Sequence, residues 1–203
     1  METINRAFAE LTAARNANAE ALPAWSQFCE VIAARLASNA PSHYRVLLEL
    51  AADIGDRGTL RILDHGCGSG RTVLILRALG YPRAEGIDLN DHVGAKWNAW
   101  LPAVAIGTAA PFQAYEGRRL PFADATFDLV FSQQVVEHLP PDVFETYFRE
   151  EGRVLKPGGR AATIRCRTAC HRSILIRTPG SFTGCRGPCS VAFIPRSDAR
   201  WNG

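Results

Sequence analysis

Between Arg61 and Thr72 the chain reads Arg61-Ile-Leu-Asp-His-Gly-Cys-Gly-Ser-Gly-Arg-Thr72, an apolar run that ends in an acid and passes into Gly66, Gly68 and Gly70. Glycine lacks the Cβ that keeps other groups at a distance, so this spacing marks a place where main chain turns sharply and comes close to a ligand or another segment. A helix starting near Arg71 would present its free N–H groups at the same point. In open α/β sheets that junction, the carboxyl end of the first strand, is where cofactors bind.

A second element is Gly86-Ile-Asp-Leu-Asn90, in which Asp88 ends a short apolar run 18 residues beyond Gly70. An acid at this distance is placed to meet ribose hydroxyls. Both elements also suit a nicotinamide dinucleotide, so on their own they leave an oxidoreductase reading open. The glycine spacing separates the two: dinucleotide sites favour Gly-x-Gly-x-x-Gly, whereas here Asp64 is followed by Gly66-x-Gly68-x-Gly70.

The surrounding pattern sets the architecture. Trp25, Phe28, Ile32 and Leu36, then Tyr44, Leu47, Leu48 and Ala51, recur at helical spacing, which predicts helices over 3–54. From Leu60 onward short apolar runs (61–64, 84–89, 127–132, 159–165) alternate with helical stretches (71–79, 91–101, 142–155), the rhythm of βαβ units on a parallel sheet. The 203 residues suit one such domain. The expected division is a helical cap over 1–58, a cofactor-binding core over 59–165 and an irregular basic, Cys-rich tail over 166–203.

Two further blocks stand in order: Leu120-Pro-Phe-Ala-Asp-Ala-Thr-Phe-Asp-Leu-Val-Phe-Ser-Gln-Gln-Val-Val-Glu-His-Leu139 and Leu155-Lys-Pro-Gly-Gly-Arg160. With the glycine turn and Asp88, these resemble the class I S-adenosylmethionine-dependent methyltransferases, particularly small-molecule enzymes similar to those of quinone biosynthesis. The resemblance implies a Rossmann-like three-layer sandwich, mostly parallel in the order 3-2-1-4-5; because this chain departs from the family after about Arg165, the family's last two strands are expected to be missing, and a shifted reading frame there would leave the fifth strand at an edge. It also implies S-adenosyl-L-methionine as cofactor. Asp64, Gly66, Gly68 and Gly70 would then lie near the methionine moiety, Asp88 on the ribose, Leu89 beside the adenine and Gln133 facing the cofactor. Relatives often carry Asp-Ala where this chain has Glu116-Gly117, so the adenine contact departs from the pattern there. His138 is the candidate general base for an acceptor that must lose a proton, whereas His65 reads as a loop residue. Asp128, at the start of its strand, reads as structural, and 156–159 as a turn without chemistry. A cofactor-binding module without turnover is the alternative from another functional class.

Charge and cysteines bear on partners. From Arg165 to Gly203 seven arginines face one acid, leaving that segment at +6, so with a total of +3 the first 164 residues carry −3. A mildly acidic core argues against a phosphate-tracking surface, and a small molecule is the expected partner. With no long apolar stretch, no membrane insertion and a cytoplasmic location are expected. The tail admits three readings. Cys166, Cys170, Cys185 and Cys189 with His171 could be proposed as zinc ligands, though no metal is assigned. The arginines fit a disordered extension, and the abrupt change near Arg165 fits a shifted reading frame.

Overall fold

A computed structural model of the chain describes residues 1–39, 42–102, 107, 110–167 and 170–177. Three helices come first: α1 (Glu2–Asn16), α2 (Ala21–Asn39) and α3 (Ser42–Ile54). Then follow β1 (Ile62–His65), α4 (Arg71–Ala78), β2 (Ala84–Asp88), α5 (Asp91–Trp100), β3 (Phe112–Ala114) and β4 (Phe127–Gln133). A 3-10 turn (Val136–His138) leads into α6 (Pro141–Val154), β5 (Leu155–Arg167) and β6 (Cys170–Arg177). The strands lie in the order β3-β2-β1-β4-β5-β6, and the first five are parallel to one another. This is the Rossmann-like arrangement expected, with β3, a strand the apolar pattern did not mark, at one edge.

Strand alternation divides the core between the two faces of the sheet. Ile62, Leu129, Phe131, Ala162 and Ile164 pack with α4 and with Ile4, Leu11, Phe28, Ile32 and Leu47 of the amino-terminal helices. Leu63, Ile87, Val130 and Ala161 face the other way, against Tyr147, Phe148 and Val154 of α6. All four residues of β1 are buried, including Asp64 and His65, as a strand covered on both faces requires.

Asp128 is structural, as expected: both its oxygens accept from Lys156 Nζ at 2.9 Å, and Oδ2 also accepts from the Arg61 N–H. Arg153 ties α6 to the segment after β3. Its guanidinium donates to the carbonyls of Leu120 and Phe122 and to the carboxylates of Asp124 and Glu150.

The carboxyl-terminal expectation is corrected in two respects. β5 is not left at an edge, because β6 pairs with it antiparallel from Arg160↔Arg177 to Arg167↔Cys170. Within the tail, Cys170–Arg177 is therefore strand: its apolar run Ile174-Leu-Ile176, two of the three β-branched, has strand propensity that the surrounding arginines and cysteines mask. The zinc reading depends on Cys185 and Cys189, which lie outside the described residues.

Candidate functional site

The chain order reverses between β1 and β4, since β1 continues through α4 to β2 on one side while β4 lies on the other. A crevice opens beyond the carboxyl ends of strands at such a point. Here it is a cavity of about 620 Å³. The turn from Asp64 to Ser69 forms one wall, with Arg71 and Thr72 at the start of α4. Asp88-Leu89, Tyr115 to Arg118, Gln133 to Val135, His138 to Pro140, Val143 and Tyr147 form the rest.

The glycines of the turn do different work. Gly66 has φ +86° and faces Val135, whose Cγ2 would collide with a Cβ added there. Gly68 has φ +51° and open space around the same position, which leaves room for a ligand against its main chain. Gly70 lies outside the lining of the cavity. It caps α4 at φ +80°, and a Cβ there would meet the Phe112 ring at 2.7 Å. Its requirement comes from packing against β3.

Asp88, half-buried at the end of β2, accepts from the Gly68 N–H at 2.7 Å and from the Asn90 N–H at 3.2 Å. Asp64 is 3% exposed, and burial followed by repulsion from Asp88 raises its pKa to about 7. Leu89 is exposed along the cavity. A Cβ on Gly117 (φ +85°) would come within 2.9 Å of Leu89 Cδ2, so these two residues form one closely fitted wall. Beside them Glu116 Oε1 accepts from the Arg119 N–H at 3.4 Å. Gln133 is half-buried and His138 exposed, both on the cavity wall.

His65 is no loop residue. It is the last residue of β1, 1% exposed, and its side chain leaves the strand on the face opposite Asp64. Nδ1 lies 3.0 Å from Glu151 Oε1 and Nε2 lies 2.7 Å from the Tyr115 hydroxyl. Tyr147 stacks on the imidazole at 3.9 Å and donates its hydroxyl proton to the His65 carbonyl. None of these partners was marked in the sequence. The available signal was that Tyr147 and Glu151, four apart, share a face of α6. Among the described residues, no cluster of His, Cys, Asp or Glu could hold a metal ion, and no helix is long and apolar enough to cross a membrane.

Residues 63–163 match the family model described as "Methyltransferase domain". Tocopherol O-methyltransferase of Arabidopsis thaliana is 32% identical over 56% of this chain and 31% of its own length. The 27-O-demethylrifamycin SV methyltransferase of Amycolatopsis mediterranei is 29% identical over 58% of this chain and 43% of its own. The chain thus spans less than half the length of these curated relatives. A solved S-adenosylmethionine-dependent methyltransferase from Mesorhizobium loti is 26% identical, with a TM-score of 0.47, over 58% of this chain and 51% of that one.

Proposed function

Since residues 63–163 belong to the class I methyltransferase family, we propose that the chain transfers a methyl group from S-adenosyl-L-methionine to a small-molecule acceptor. One observation carries the reading: Gly66, Gly68, Asp64 and Asp88 converge on a single cavity, which opens beside Gly68, where a Cβ would meet nothing. At about 620 Å³ the cavity lies within the range of roughly 300–1,000 Å³ usual for small-ligand sites. Relatives named for tocopherol and a rifamycin support a small acceptor.

The residues present fit the cofactor. Asp88 would accept from the ribose hydroxyls, Leu89 and Gly117 would flank the adenine with Glu116 at its edge, and the main chain at Gly66 and Gly68 would run alongside the methionine portion. Gln133 would face the cofactor from the end of β4. When bound, the cofactor supplies a methyl group already activated on a sulfonium, so the protein contributes chiefly alignment, worth on the order of 7–11 kcal/mol in favourable cases. Asp64, ionised above about pH 7, would offer a buried negative charge to the cationic ligand. Where the acceptor must lose a proton, His138, which lines the cavity, would take it.

Calorimetric titration of the purified chain with S-adenosylhomocysteine and with NAD tests the reading, with Asp88→Ala as control. Micromolar binding of the first ligand alone, weakened in the variant, is expected. Binding of NAD alone by the folded chain would overturn it.

A further inference from the structure

Charge is not spread evenly along the cavity wall. Leu89 and Gly117 mark the adenine end of the ligand path proposed above, and Asp88 marks the ribose. The Gly68 N–H, bonded to Asp88, leads from there toward Asp64, which lies close enough to Asp88 to feel its charge. Beyond Asp64 this end of the wall is made by Ser69, Arg71 and Thr72. Two arginines line the cavity, and they belong to different ends: Arg118 follows Gly117 directly, whereas Arg71 opens α4.

A guanidinium keeps its proton throughout the pH range in which proteins fold, so the positive sign at Arg71 is fixed. Its Nη1 donates to Asn5 Oδ1 of α1 at 2.9 Å. Asn5 is neutral, and among the described residues no carboxylate pairs with Arg71. Tyr44 of α3, 1% exposed, lies near enough for the charges of both Arg71 and Asp64 to act on its phenol, which burial keeps protonated. Two helices outside the sheet thus hold a half-buried cation at the cavity without offsetting its charge. The fork carries five N–H donors, and one bond to an amide leaves most of them for a further partner; a carboxylate matches that fork best. Arg71 is also the first residue of α4, where free N–H groups favour an anion. The amino-acid end of the cofactor carries an ammonium and a carboxylate. Asp64 and Asp88 repel the second of these when ionised, which leaves Arg71 as the group to receive it.

We propose that the Arg71 guanidinium, held by Asn5, pairs with the α-carboxylate of the bound cofactor. The proposal rests on the cofactor reading given above. It makes Arg71 a binding residue and Asn5 a positioning residue that acts through it, so that α1 helps to build the cofactor site as well as covering the sheet.

The test is calorimetry on the folded chain with S-adenosylhomocysteine and with its decarboxylated analogue, which keeps the nucleoside, the thioether and the amine. Titrations are run about one pH unit below the ionisation of Asp64, where that residue adds little pull on the amine. Wild type is expected to bind the analogue about 10-fold more weakly, as for the loss of one charge-assisted hydrogen bond at a half-buried site. An analogue that binds wild type as tightly as the parent ligand overturns the proposal while leaving the cofactor reading intact, and needs no variant to fold. Arg71→Gln, which keeps a donor for Asn5, is expected to lose about the same factor for S-adenosylhomocysteine and to bind the analogue no more weakly than wild type does. Equal losses for both ligands give Arg71 a structural role and overturn the proposal. No loss for either overturns it too, and leaves the guanidinium to an anionic acceptor. Asn5→Leu is expected to narrow the difference between the two ligands; an unchanged difference overturns the positioning role. No binding of S-adenosylhomocysteine by folded wild type overturns the cofactor reading and this proposal together.

Discussion

The Gly68 N–H donates to Asp88 Oδ2 at 2.7 Å, which fastens the turn after β1 to the end of β2 before any ligand arrives. Asp88→Asn keeps an oxygen that can accept this bond but loses the charge, whereas Asp88→Ala loses both. Urea unfolding is expected to show Asp88→Ala less stable than Asp88→Asn by about 1 kcal/mol, the net worth of one such hydrogen bond. Both should bind S-adenosylhomocysteine more weakly than wild type.

Three alanine substitutions separate the roles of the glycines. Gly68→Ala meets no atom, so its stability loss is the strain of positive φ alone, about 1–2 kcal/mol, while its new methyl projects into open space beside the main chain and weakens ligand binding. Gly70→Ala adds a clash with the Phe112 ring to the same strain and should destabilise more, without a methyl in the cavity. Gly66→Ala collides with Val135, and Val135→Ala should restore part of that loss. Thermal melts together with titrations check all three.

Asp64 makes stability depend on pH. The folded chain holds this proton up to about pH 7, whereas an unfolded aspartate releases it near ~3.9. Stability from this group is therefore fully present below about pH 4 and is lost as pH rises through about 7, by an amount on the order of 4 kcal/mol. Denaturant melts of Asp64→Asn should lack that decline, leaving the variant more stable than wild type at pH 8. Affinity for a cationic ligand should move the opposite way in wild type, rising through pH 7 as the carboxyl ionises.

Arg153, with its side chain 17% exposed, bonds to two carbonyls and two carboxylates at once. A lysine keeps the charge and loses the planar fork, so Arg153→Lys is expected to cost about 2–3 kcal/mol in urea unfolding. The segment 120–124 should then become the first to exchange its amide hydrogens.

What the sequence made legible was local. The helices before β1 were written in the spacing of Trp25, Phe28, Ile32 and Leu36, and all four are buried. The turn after β1 announced itself because glycine is required where φ is positive. Gly70 shows the limit of that signal: identical spacing gave no sign that the ring demanding it, Phe112, arrives from β3. The buried group around His65 was illegible for the same reason, since its partners Tyr115 and Glu151 lie 50 and 86 residues further along the chain. β6 was hidden differently, by arginines and cysteines that drew attention from a short apolar run.

The position of β1 between β2 and β4 also governs when a cavity can exist during synthesis. Until residues 127–133 have emerged, β1 has a neighbour on one side only, and the wall formed by Gln133 to Val135 is missing. Closing β1 onto β4 brings together residues as far apart as Arg61 and Asp128, a loop whose entropy must be spent before the contacts repay it. A nascent chain halted before Phe127 can carry the entire glycine turn and still have nowhere to hold a nucleoside.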